Sequence, residues 1–112
     1  MHQKRRISLV RPLDMALLIH EVWEQPDGSG QTLPGLCLAG PDGDGFRSLL
    51  EQGSRLVTTF EASCHFEAMF TYYKLVGYGE YVNEEAWSHQ PYGNEEAVRQ
   101  KTGTRSNAAL II

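Results

Sequence analysis

Three neighbouring residues, Glu61, Cys64 and His65, are the part of this sequence whose types and spacing could do chemistry. Cys64 is expected in the first turn of a helix, where unpaired N–H groups and the helix dipole favour a thiolate. A catalytic thiol also needs a base within hydrogen-bonding distance. Adjacent helical residues point about 100° apart, so His65 is poorly placed for that role. His20 or His89 could supply the base if the fold brings one of them close.

The competing interpretation is that Cys64 and Cys37 are small, reduced residues packed in the core, because free cysteine is among the most buried residue types. Two cysteines are too few for a disulfide scaffold, which a chain of 112 residues does not need. A metal site built from Cys37, Cys64, His20 and His65 would lack the closely spaced ligand pairs of structural zinc. The packing interpretation is therefore preferred, and we expect neither a metal nor a cofactor.

Two glycine-rich loops, residues 27–30 and 40–45, have the composition of phosphate or calcium loops. Asp42 and Asp44 alternate as at the start of a calcium loop, but the twelfth position counted from Asp42 is Gly53 and not a bidentate Glu. No Walker-type lysine follows either glycine run. Ordinary turn chemistry therefore accounts for both loops.

Aromatic side chains are concentrated late in the chain, where seven of the eleven fall between residues 70 and 92. Tyrosine and tryptophan combine an apolar body with a polar tip, which suits ligand clefts and protein interfaces. The same rings could instead fill a core that short helices leave open, so core filling, an interface and a ligand pocket all remain alternatives. The candidate ligand-binding or partner-binding residues are Tyr73, Tyr78, Tyr81, Trp87 and Tyr92.

The elements that must position these residues are clearest where the hydrophobic period changes from two to nearly four. Alternation over Arg55–Ala62 predicts a strand. The next segment predicts an amphipathic helix over Cys64–Val76, with Ser63 as its N-cap and Gly77 as its left-handed C′ residue. The apolar stripe of this helix is expected to press onto the sheet and consists of Phe66, Met69, Phe70 and Tyr73.

Weaker patterns predict the remaining elements. Strands are expected over Asp14–Glu24 and Gln31–Ala39, and Pro34 makes the second an edge strand or a bulged one. Asp44 can cap a short helix over Gly45–Gln52. The order β-β-α-β-α predicts an α+β two-layer sandwich, with a small, mostly antiparallel sheet and one main amphipathic helix. An irregular, aromatic-rich segment is expected to follow that helix.

The charges divide the chain into three parts. Residues 1–11 form a basic arm that is expected to be flexible, and residues 12–94 form one acidic domain with a net charge of −9. Residues 95–112 are expected to be a tail, partly disordered or docking through the apolar residues 108–112. An acidic domain repels phosphate backbones, so nucleic acid is an improbable partner.

The whole pattern favours a small soluble, cytoplasmic protein without a membrane span or a signal peptide. Its function is predicted to be non-enzymatic: a protein-interaction or self-associating module, with a homodimer favoured and another protein as a possible partner. The support is the aromatic segment, the edge strand at residues 31–39 and the apolar C-terminus. The alternative is a small enzyme or ligand binder with a pocket between the sheet and residues 78–92, for which Cys64 is the candidate reactive residue.

Overall fold

The computed structural model describes the backbone of residues 16–111 and the side chains of residues 16–102. It confirms the α+β fold. The elements in chain order are β1 (Leu18–Pro26), β2 (Thr32–Leu38), a 3-10 turn (Pro41–Gly43), α1 (Asp44–Ser48), β3 (Arg55–Ala62), α2 (His65–Val76), a second 3-10 turn (Ala86–His89) and α3 (Asn94–Ile111). The basic arm predicted for residues 1–11 lies outside the described residues, and so do the side chains of residues 108–112.

The sheet is antiparallel with the strand order β2-β1-β3, so β1 is central and the other two strands are edges. Both edges carry a feature that discourages further strand pairing. Pro34 lies within β2 and has no N–H to donate. In β3, Thr58 pairs with Val22 while Leu56 pairs with Trp23, which leaves Val57 as the extra residue of a bulge. Bulges and prolines are common ways of protecting an open sheet edge.

Alternation along β1 divides the sheet into two faces. Leu18, His20 and Val22 are buried on the face that α2 covers. The opposite face carries Glu21 and Trp23 and is covered only in part.

The cover on that second face is the short helix α1. The ring of Phe46 lies where a side chain of Gly35 would be, so α1 rests directly on β2. Arg47 fixes the helix to the sheet by donating to the Glu21 carboxylate at 2.9 Å, the Leu38 carbonyl at 3.0 Å and the Gly40 carbonyl. The β3 half of the face is left without a covering element among the described residues.

The main helix, α2, follows β3 after a two-residue link. The prediction of Ser63 as its N-cap is wrong: Cys64 occupies that position, and its Sγ accepts from the Glu67 N–H at 3.5 Å. The Glu67 carboxylate turns back and accepts from both the N–H and the hydroxyl of Ser63, at 2.6 and 2.8 Å. Gly77 ends the helix with φ of 81°, as expected of a left-handed C′ residue.

Two members of the predicted apolar stripe of α2, Phe66 and Tyr73, do not face the sheet. The buried residues of the helix are Ala68 and Tyr72, on a different side from Phe66 and Tyr73. Those two rings are half-buried and contact the segment that follows the helix. Phe66 and Tyr73 therefore serve a second contact, between α2 and residues 78–89.

Residues 94–111 form helix α3, which is attached to the sheet through Gln100. The Gln100 carboxamide accepts from the Ile19 N–H at 2.8 Å and donates to the Ile19 and Ala39 carbonyls at 2.9 and 3.0 Å. The carboxamide thus bridges the Ile19 N–H and the Ala39 carbonyl just beyond the end of β2. Along the part of the chain that the structure describes, no helix combines the length and the apolarity needed to cross a membrane.

Candidate functional site

The three candidate catalytic residues do not form a constellation. Cys64 uses its sulfur as the N-cap of α2, and the His65 ring lies against Trp87 with 4.8 Å between ring centroids. Glu61 pairs with Ile19, which places it on the sheet face opposite α2. The three residues are therefore close in the sequence, but the structure does not bring their reactive groups together.

The cysteines are both free thiols. Cys37 is buried beside Glu21 and Arg47, and burial raises its pKa to about 11, with the Glu21 charge adding to the effect. Cys37 is thus a protonated core residue at neutral pH. Cys64 is half-buried. Among the described residues, no three His, Cys, Asp or Glu side chains are grouped to hold a metal ion.

The two glycine-rich loops are held by internal contacts. The Asp27 carboxylate accepts from the Ser29 N–H at 2.8 Å and from the Ser29 hydroxyl at 2.7 Å, as in an Asx turn. Both acids of the second loop are paired with arginine: Asp44 with Arg47 and Asp42 with Arg99. These contacts give Asp27, Asp42 and Asp44 structural roles within or beside the loops.

His20 is one of the most buried polar residues described, and both of its ring nitrogens have partners. Nδ1 lies 3.0 Å from the Leu18 carbonyl, which can only accept, so Nδ1 carries the proton. Nε2 of the neutral ring then accepts from the Tyr92 hydroxyl at 3.2 Å. The ring also stacks on Phe60, with centroids 5.3 Å apart. His20 is therefore a structural residue that positions Tyr92, and it does not supply a base to Cys64.

The predicted aromatic residues separate into two groups. Tyr73, Tyr78 and Tyr81 form one cluster of edge-to-face contacts, with Tyr73 centroids 5.3 and 5.0 Å from the other two rings. This cluster connects the end of α2 to the irregular segment. Trp87 and Tyr92 belong to the other group, which lines an open cleft.

The cleft, here called the aromatic cleft, lies between the start of α2, the 3-10 turn at residues 86–89 and the start of α3. Its volume is about 830 Å³. Trp87 is 57% exposed within it. Its described lining residues are His65, Trp87, Gln90, Pro91, Tyr92, Gly93, Asn94, Glu95, Glu96 and Arg99.

The acidic wall of the cleft is absent from the sequence-based candidates. Glu95 and Glu96 open α3, and Glu96 Oε1 accepts from the Gly93 N–H at 2.7 Å. Arg99 is paired with Asp42 through Nε at 3.1 Å and Nη2 at 2.9 Å. The acids in the first turn are a recognisable helix-start signal, but nothing local indicates that this turn lies beside His65.

A comparison with known proteins finds no family model, no curated protein and no solved structure that matches the chain.

Proposed function

We propose that this chain is a non-enzymatic protein-interaction module that self-associates as a homodimer. The observation that carries the proposal is the incompletely covered sheet face opposite α2, here called the open face. Three apolar side chains on it are substantially exposed: Ile19 at 39%, Leu56 at 45% and Leu33 at 51%. Trp23 lies between them as the cross-strand neighbour of Leu56.

The edges of the sheet support association through the face and not through strand addition. Pro34 removes a donor from β2, and the bulge at Val57 interrupts the regular pairing of β3. A face-to-face dimer places the same patch on both sides of a two-fold axis. Every apolar residue that becomes buried then contributes twice, at roughly 1.5 to 3 kcal/mol for a fully buried leucine.

The enzyme alternative based on Cys64 has less support. The thiol is engaged with the Glu67 N–H, His65 is turned toward Trp87, and Glu61 lies on the other side of the sheet. A nucleophile needs its base within hydrogen-bonding reach. None of these three contacts brings a base to the sulfur.

The dimer is tested by sedimentation equilibrium at micromolar concentration. We expect a dimer for the unsubstituted chain, and at least tenfold weaker association for Leu56→Lys, since the change places two charges in the interface. Val82→Lys is the matched control: Val82 is 69% exposed but lies in the irregular segment after α2. Its association should be unchanged.

Two results would contradict the proposal. One is a sharp monomer mass for the unsubstituted chain across the micromolar range. The other is a dimer that Leu56→Lys leaves intact while its circular dichroism spectrum shows a folded protein. Equal weakening by both substitutions would indicate a nonspecific effect of added charge, and would also count against the open face.

A further inference from the structure

The aromatic cleft has the composition of a site for a cationic side chain. Trp87, His65 and Tyr92 line it, with the Trp87 and His65 rings 4.8 Å apart between centroids. A guanidinium or ammonium group over the face of an aromatic ring is attracted by the ring quadrupole, most strongly by tryptophan. Trp87 is available for such a contact because more than half of its surface is exposed.

The charges around the cleft favour the same kind of ligand. Glu95 and Glu96 lie on its wall, and the arginine there, Arg99, is held by the Asp42 carboxylate. The Arg99 guanidinium lowers the pKa of Asp42, so this pair stays ionised and its two charges offset each other. The unbalanced charge on the described wall is therefore negative.

The pKa of Tyr92 reflects the same acidic surroundings. Burial raises its pKa to about 12, and neighbouring acidic groups, including those of Cys64, Glu96 and Glu67, add to that effect. The carboxylates of Glu96 and Glu67 oppose formation of a tyrosinate and attract a cation.

The described part of the chain begins beside this cleft, and a basic sequence precedes it. Ala16 forms an antiparallel bridge with Tyr92, so the residues before it start from the edge of the cleft. Four bases, Lys4, Arg5, Arg6 and Arg11, occur in residues 1–15 with Asp14 as the one acid. Arg11 lies five residues before Ala16, within about 17 Å along an extended chain.

We propose that the aromatic cleft binds the basic segment formed by residues 4–11 of the same chain. A cationic side chain of that segment lies over Trp87, and Glu95 and Glu96 pair with its charge. This contact is intramolecular and does not depend on the dimer proposed above. A basic segment from another protein would have to compete with it for the same cleft.

The experiment uses the full chain and follows the indole N–H resonances of Trp87 and Trp23 by NMR. The test variant combines Lys4→Gln, Arg5→Gln, Arg6→Gln and Arg11→Gln, none of which alters the described body of the protein. We expect the Trp87 resonance to move and the Trp23 resonance to stay. Glu95→Gln with Glu96→Gln should cause a comparable shift of Trp87, as should raising the salt concentration, because screening weakens exposed charge pairs.

Arg55→Gln is the matched control, since it removes a cation from β3, where its partner is Glu24. It should leave Trp87 unchanged. The proposal is overturned if the fourfold variant leaves the Trp87 resonance in place. It is also overturned if the Trp87 shift depends on protein concentration, because the occupant would then belong to a second copy. These outcomes are separate from the sedimentation result, so either proposal can fail alone.

Discussion

At the scale of single residues, the buried imidazole of His20 determines how the protein should respond to acid. Its neutral form satisfies both the Leu18 carbonyl and the Tyr92 hydroxyl. Burial lowers the pKa of His20 below 6.5, with the nearby His65 adding to the decrease, while the Leu18 carbonyl and Glu67 oppose it. The folded protein therefore binds a proton at His20 less readily than the unfolded chain.

This difference predicts a loss of stability in mild acid. The contribution of neutral His20 is fully present above pH 6.5 and decreases as the pH falls from 6.5 toward the lowered pKa of the folded state, because the unfolded chain takes up the proton first. The steepest slope from one such group is about 1.4 kcal/mol per pH unit. Urea denaturation at pH values from 7.5 down to 5, roughly the range over which a histidine titrates, measures this loss of stability.

A pair of variants isolates the His20 contribution. His20→Gln should lower the free energy of unfolding at neutral pH, because a buried hydrogen-bonding partner is lost, and should flatten the pH dependence. His89→Gln changes an exposed histidine and should retain the slope. If His20→Gln keeps the full slope, the acid sensitivity belongs to other groups.

At the scale of secondary-structure elements, the sequence predicts correctly those elements whose formation depends on residues close together in the chain. The sequence predicts β3 over Arg55–Ala62 and the main helix over Cys64–Val76, and the structure has them at Arg55–Ala62 and His65–Val76. The change of hydrophobic period and the left-handed glycine after the helix act within a few residues. Sequence patterns that act over so few residues therefore predict these two elements whatever the packing of the rest of the chain.

The candidate site is less predictable because its parts come from distant segments. Nothing near His65 indicates that Trp87 lies against it or that Glu95 faces the same space. The side of α2 that faces the sheet is difficult to predict for the same reason, because it also depends on distant segments. Phe66 belongs to an apolar stripe, but the ring that it meets is that of His89, 4.5 Å away between centroids, in a segment without a periodic pattern.

The start of α2 leads to a testable prediction about Cys64. As the N-cap, its sulfur satisfies the Glu67 N–H. Cys64→Ala should lower the free energy of unfolding by about 0.5 to 1 kcal/mol, the lower part of the N-cap range because sulfur is a weak acceptor. Cys64→Ser should keep or slightly raise stability, since serine is a preferred cap. Thermal and urea denaturation measure both.

Thr71→Ala provides the comparison within α2. Thr71 is half-buried in the helix interior, where alanine has the higher helix propensity, so this change should not reproduce the loss. An unchanged stability for Cys64→Ala would show that the sulfur does not act as a cap.

At the scale of the whole molecule, two described residues of α3, Arg99 and Gln100, bond this helix to the body of the protein. Arg99 meets Asp42 at the surface, and Gln100 meets the sheet in a buried position. An exposed ion pair contributes little, typically below about 1 kcal/mol. A buried carboxamide that bridges the Ile19 N–H and the Ala39 carbonyl contributes more, because each buried group left without a partner costs about 1 to 3 kcal/mol. Gln100 therefore helps to hold α3, and with it the acidic wall of the aromatic cleft, against the sheet.

We expect Gln100→Ala to lower the free energy of unfolding by roughly 2 to 3 kcal/mol and to accelerate hydrogen exchange at the Ile19 amide, while exchange at Val22 changes only with global stability. Gln100→Glu should cost more at neutral pH, because it places a carboxylate against the Ile19 and Ala39 carbonyls. Lys101→Ala, an exposed neighbour on the same helix, is the control and should change neither quantity. A Gln100→Ala variant that retains slow exchange at Ile19 would show that α3 is held by other contacts.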